Sequence, residues 1–187
     1  MMQAVSRLSG AAVLLCALCL PAGTRAEPTA AVPPRLQAPA GQALVLTARA
    51  QGVQIYACGA DAKEPARWHW IFKAPEADLF DAQGERIGRH YAGPTWEALD
   101  GSRVVGEVVA RDDGPDPDAI PWLLLASKMR SGKGELENVQ SIQRVLTVGG
   151  KAPATGCSKD RDGEIIRVPY SATYHFYTGA PEAGVVR

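Results

Sequence analysis

HYAGPTWEALDGSRVVGEVV, from His90 to Val109, decides the fold. Asp100-Gly101 sits between two runs that alternate apolar with polar or small residues. Such a pair is a strong hairpin signal, because both central residues of a type I′ turn need positive φ. A two-residue loop there predicts the pairs Leu99–Ser102, Ala98–Arg103 and Glu97–Val104. Upstream, Pro94 keeps Gly93 out of helical space, so the chain turns between His90 and Trp96. Asp100 to Val109 is explained by hairpin geometry. His90 to Glu97 is not fully explained by any turn or strand rule.

The same alternation extends outward. GVQIYAC (52–58) places Val53, Ile55 and Ala57 on one face and Gln54, Tyr56 and Cys58 on the other. WHWIFK (68–73) puts Trp68, Trp70 and Phe72 on one side and predicts a core strand. Ala74–Phe80 reads as the loop after it, Asp81–Gly84 as a turn and Arg86–Tyr91 as a strand. DDGPDPD (112–118) is an acidic surface loop. The continuous apolar run at 121–126 reads as a strand, since Pro121 and Ser131–Gly134 bound it tightly. Val139–Val148 places Ile142, Arg144 and Leu146 together. Asp162-Gly163 reads as a second hairpin turn. Val168–Tyr177 closes the chain with Tyr170, Ala172, Tyr174 and Phe176 on one face. About eight to ten short strands with little helix predict an all-β antiparallel sandwich or barrel. The 19 glycines and 14 prolines suit such a turn-dense chain.

The ends carry different information. Arg7, the apolar run Ala11–Leu20 and the small residues Thr24 and Ala26 form a secretory signal peptide over residues 1–26. Residues 27–40 hold four prolines and read as an extended leader, and residues 41–187 as a single β domain. Lys and Arg total 20, as do Asp and Glu; the signal holds two arginines and no acid, leaving a net charge of −2. No basic stripe exists for nucleic acid and no polybasic patch for a membrane surface. No membrane insertion is expected after signal cleavage. Cys58 and Cys157 remain after processing, and an isolated pair in an oxidising compartment usually joins.

Candidate chemistry concentrates near the opening stretch. His90 with Glu97 is the candidate catalytic pair, since a histidine held by a carboxylate is a plausible general base. Asp100 and Glu107 are the other nearby acids. Glu97 and Glu107 would lie roughly 10 Å apart along one ribbon, a poor hydrolytic pair. No GxSxG elbow is present, and Ser102 is ordinary turn chemistry. Gly132–Gly134 and Gly149–Lys151 lack the helix of a phosphate loop. Asp160–Glu164 lacks the downstream acid of a calcium loop. His69, His90 and His175 fall on different strands without ligand spacing, so no metal and no cofactor is expected. Arg144, among apolar residues, needs a carboxylate or carbonyl partner, with Glu97 or Glu107 as the candidates. The surplus of rings offers Tyr91 and Trp96, with Arg144, as candidate ligand-binding residues.

Six pieces carry a family likeness: IYAC (55–58), GRHYAGPTWEALDGSRVVGEV (88–108), IPWLLLAS (120–127), IQRVLTVGGKAP (142–153), GC (156–157) and VPYSATYHFY (168–177). In combination the chain resembles the secreted DUF3455 family of bacteria and fungi. The resemblance implies secretion and makes the cysteine pair a family feature. It supplies no activity. His69 and His175 depart from the pattern.

These readings together predict a secreted or periplasmic β-domain protein. It would be a non-catalytic ligand-binding or envelope-associated module, with an unknown small molecule or carbohydrate as partner. The alternative is a small hydrolase-like enzyme built around His90 and nearby carboxylates. A third possibility is a purely structural envelope protein with no ligand.

Overall fold

The computed structural model describes residues 31–179. The expected signal peptide lies outside the described residues. Eight strands follow one another: β1 (Gln42–Ala60), β2 (Trp68–Phe80), β3 (Arg86–Tyr91), β4 (Thr95–Ala98), β5 (Arg103–Asp112), β6 (Trp122–Ser131), β7 (Val139–Gly149) and β8 (Ile165–Gly179). Each pairs antiparallel with the next, and β8 returns to β1, so the sheet closes into an up-and-down barrel. The all-β expectation holds, at eight strands. Closure removes the free sheet edges that an open sheet must protect.

Alternation sorts the side chains. Ala48, Ala50, Gly52 and Gln54 of β1 face inward, opposite Leu79, Ala77 and Pro75 of β2 in register. His90, Trp96, Leu125, Ile142, Tyr174 and Phe176 are the large inward residues of the other strands. Charged residues point out: Arg49, Asp78, Arg89 and Arg103 are exposed between inward neighbours. That is the reverse of the apolar outer band of a membrane-spanning barrel.

One wall, β1 to β3, is built small, which leaves room for the large residues of the strands that flank it. A Cβ on Gly52 would lie 2.1 Å from the Glu76 carbonyl oxygen, and one on Gly88 2.4 Å from that of Glu97. Backbone therefore approaches backbone there without side chains between. A Cβ on Gly106 would sit 2.9 Å from the Trp96 ring and 3.1 Å from Leu125.

The 121–126 strand is apolar throughout because both its faces are covered. Leu123 and Leu125 turn inward. Trp122 and Leu124 turn outward and pack with Val145 under Leu36. Leu36 comes from the segment expected to be an extended leader, where Pro34–Leu36 forms one 3-10 turn. The Gln143 side-chain amide donates to the Leu36 carbonyl at 2.6 Å, and Arg35 pairs with Asp112 at 3.1 Å. Part of the leader is thus an outer layer of the fold.

Four local expectations change. Ala74–Phe80 is strand, not loop; β3 pairs with β2 only over Ala77–Phe80, so Pro75 sits on an edge where proline is tolerated. The 99–101 loop has three residues, and Glu97 faces Arg103 rather than Val104. Gly101 takes φ 85° and donates to the Ala98 carbonyl, the form a three-residue hairpin loop favours. Asp162-Gly163 is not a hairpin, because Lys159–Arg161 is a 3-10 turn and no strand precedes it. Leu146 leaves the Ile142–Arg144 face: a bulge between Val145 and Val148 gives it φ 50° and exposes it.

The upper end, where β1 finishes, is tied by the Cys58–Cys157 disulfide across 99 residues. Around it Tyr56 and Trp70 form a small core with Ala152, Ile166 and Val168. Trp70 Nε1 donates to the Thr155 carbonyl at 3.0 Å, and Tyr56 Oη to that of Gly150 at 2.6 Å. The crosslink holds the 150–164 connection onto β1 and β2.

Two stability changes follow. Replacing Cys58 and Cys157 together by serine lowers the unfolding free energy by about 2–5 kcal/mol, since a long loop regains its freedom. Urea denaturation of oxidised wild type and variant checks it, and coincident midpoints would contradict it. Leu36→Ala costs about 2–4 kcal/mol by the same measurement, because Leu36 is fully buried; a surface-like effect of a few tenths would mean the leader is not part of the core.

Candidate functional site

His90 and Trp96 build the floor of a cavity at the upper end, and the turn between them reaches its lip. Gly93 takes φ 94°, and Thr95 Oγ1 donates to the Ala92 carbonyl at 2.9 Å. The turn reverses the chain so that His90 pairs with Trp96. His90 Nδ1 lies 2.8 Å from the Thr95 carbonyl oxygen. A carbonyl only accepts, so Nδ1 carries the proton and Nε2 is left as an acceptor. The imidazole stacks on the Trp96 indole at 4.3 Å, with planes 13° apart, and Tyr174 meets both edge-on.

His90 is fully enclosed. Burial lowers its pKa from 6.5 to about 3; the bond to Thr95 opposes this and the Arg144 charge adds to it. The ring is neutral at physiological pH. Burial likewise raises the Tyr174 hydroxyl's pKa, against the pull of Arg144, so it stays protonated.

Arg144, on β7, reaches across the upper interior. Its Nε and Nη2 both donate to the Pro121 carbonyl, at 3.0 and 2.8 Å. That carbonyl is held in place by its neighbours: Ile120 N donates to the Gly149 carbonyl at 2.8 Å, and Thr147 Oγ1 to the Ile120 carbonyl at 2.6 Å. The bulge at Leu146 precedes Thr147, whose buried hydroxyl makes this bond. Neither Glu97 nor Glu107 is the partner of Arg144, and it pairs with no carboxylate among the described residues.

The cavity above this floor measures about 430 Å³. Its walls include Gln54, Tyr56, Phe72, Pro75, Leu123 and Leu125, with Gly93 and Pro94 at the lip. The strand lengths explain the opening. β4 covers β5 only over Arg103–Val105, and β3 covers β2 only from Ala77 onward. Both neighbours continue higher, so the short β3–β4 hairpin leaves a gap in the wall. Phe72, expected in the core, stands at this gap and is 52% exposed. Three polar atoms on cavity residues are buried without a protein partner: Gln54 Nε2, Trp96 Nε1 and Tyr174 Oη. Arg144, Tyr174 and Tyr170 influence one another's ionisation, but none of their mutual contacts has hydrogen-bond geometry.

The structure divides the candidates from the sequence. His90, Trp96 and Arg144 line this cavity together. Tyr91 and Glu97 lie on the outer face, because each is one residue out of phase. Tyr91 Oη donates to Glu97 Oε2 at 2.6 Å, Arg89 Nη2 donates to Oε1 at 3.0 Å, and Arg89 lies over the Tyr91 ring. The Tyr91 bond, then Arg89, hold the Glu97 carboxyl below its usual pKa. Asp100 and Ser102 are at the lower end, where Asp100 caps Ser102 and Glu135, and Ser102 Oγ accepts from Leu136 N. Glu107 is exposed, 4.0 Å from Lys128 Nζ. Gln54 and the Ile120-Pro121 lip are cavity elements that alternation and composition did not single out. Among the described residues no cluster of three or more His, Cys, Asp or Glu converges as a metal site.

Residues 39–178 match the family described as protein of unknown function (DUF3455). The chain belongs to that family. No curated protein and no solved structure matches the DUF3455 chain. Among its described residues no helix is long and apolar enough to cross a membrane.

His90 gives the DUF3455 barrel a specific acid sensitivity. Its folded pKa lies below the unfolded value, so the unfolded chain takes up the proton first as pH falls. The stabilisation is complete above about pH 6.5 and is lost progressively down to about pH 3, at up to ~1.4 kcal/mol per pH unit. Denaturation of wild type and His90→Phe at stepped pH reads this as a shallower slope in the variant. Equal slopes would place the titration elsewhere.

Proposed function

We propose that this protein is a secreted, non-catalytic binding module that takes one small molecule into the upper mouth of its barrel. The observation that carries the reading is the mouth cavity itself: a gap of ligand size, apolar-walled, with a few convergent polar groups. Small eight-stranded barrels either fill with side chains or hold one small ligand. Here the lower half is filled and the upper half is not. Secretion is supported by the signal-like residues 1–26 and by the disulfide.

The hydrolase-like alternative has less support. A general base at His90 needs an accessible imidazole near neutral pKa and a carboxylate to orient it. His90 is enclosed, its Nδ1 is spent on a backbone carbonyl, and Glu97 is on the other side of the sheet. A carbohydrate ligand is also less well supported, because sugar rings stack on open aromatic faces. The Trp96 ring is covered by His90 on one face and met edge-on by Tyr174 and Phe176.

The test uses a neutral apolar fluorophore, N-phenyl-1-naphthylamine, whose emission rises on leaving water. The wild-type barrel enhances it saturably with one site. Leu123→Trp, which fills the mouth from a partly buried position, reduces the affinity by about tenfold or more while the unfolding midpoint stays near wild type. Absence of saturable enhancement in the wild type would overturn the reading.

A further inference from the structure

The charge of the mouth cavity is one-sided. Three buried groups of its lining can donate to a ligand, the Gln54 amide, the Trp96 indole N–H and the Tyr174 hydroxyl, beside one ring acceptor, His90 Nε2. Its charged residues are Lys73, Arg111 and Arg144, and no Asp or Glu among the described residues lines it. Arg111 is neutralised by Asp113 at 3.0 Å. Arg144 is not. Its guanidinium spends two N–H groups on the Pro121 carbonyl, and the planar fork has others left. A half-buried arginine ordinarily finds a carboxylate, and here, among the described residues, a carbonyl is its acceptor. Lys73 stands at the rim beside the gap in the wall, also without an ion pair among the described residues.

We propose that the ligand is an organic acid: a flat apolar body seated against Leu123, Leu125 and Tyr56, with a carboxylate at Arg144. The ligand supplies the negative charge that the protein withholds from Arg144. The neighbouring donors add acceptor specificity, and Lys73 favours entry of an anion. A charge-assisted hydrogen bond in a water-poor site exceeds a neutral one, so charge rather than shape sets the preference. This inference rests on the cavity being a binding site.

A matched pair separates the two claims. 1-Naphthaleneacetate and 1-naphthaleneacetamide share one shape and differ in charge. Titrated into the full-length processed protein near neutral pH by calorimetry, the acid binds about tenfold or more tightly than the amide. In Arg144→Gln the preference for the acid over the amide is lost. Arg144→Lys, which keeps the charge without the fork, retains part of the preference and covers the case in which Arg144→Gln does not fold. Equal binding of acid and amide, with the neutral fluorophore still bound, overturns the acid inference and leaves the binding module standing. A preference unchanged in both Arg144 variants overturns the role of Arg144. Failure of all three compounds to bind overturns both readings.

Discussion

A closed barrel of eight strands has a fixed interior, and every inward side chain must share it. The long ladder between β1 and β8 sets that constraint, since it joins the two ends of the sheet from Gln42 to Ala57. The chain meets it unevenly. β1 to β3 contribute Ala48, Ala50, Gly52, Ala77 and Gly88, while β4 and β8 contribute Trp96, Tyr174 and Phe176. The rings from these two flanking strands meet edge to face in the space that the small wall vacates. Gly106 belongs to the same arrangement, because the Trp96 ring occupies the place its Cβ would take. The lower half is therefore solid. Above His90 and Trp96 the large residues give way to Gln54, Pro75 and Leu123, and the filling stops.

The stability of this arrangement draws on two devices outside the barrel interior. Leu36 closes the outer faces of β6 and β7, which lets Trp122, Leu124 and Val145 be apolar without being exposed. The disulfide holds the 150–164 connection at the upper end, where a cavity leaves fewer internal contacts. The mouth is thus framed by covalent and hydrogen-bonded supports together with the small core around the disulfide. The Pro121 carbonyl is one such support: it is fixed through Ile120, Thr147 and Gly149 before Arg144 reaches it.

Period-two alternation made the strand class legible, and the turn residues made most of the strand ends legible. The faces were harder to read. Gln54, Tyr56 and Cys58 turned out to be the inward set, although Val53, Ile55 and Ala57 look as apolar on paper. The available clue was Cys58, whose partner must lie within a crosslink's reach at the barrel end. Bulges defeated the other assignments, because one extra residue reverses every face beyond it. That happened at Leu146, and between Ile55 and Tyr56, where β2 skips Lys73. Within the opening stretch, phase alone separated the candidates. His90 and Trp96 share a face, whereas Tyr91 and Glu97 share the opposite one. Sequence proximity had grouped all four.

Why Arg144 should be kept in such a place is the question on which the functional reading turns. As a structural tether for one carbonyl it is excessive, since an asparagine or a hydroxyl would serve with less desolvation. Thr147 performs that task for the neighbouring Ile120 carbonyl with a single hydroxyl. A guanidinium brings a permanent charge and spare donors, and both are costly inside a barrel unless something answers them. No carboxylate among the described residues answers the charge. His90 is held neutral beside it, and Tyr174 and Trp96 bring unpaired donors into the same space. A site of that composition is matched by an acceptor that comes from outside the chain.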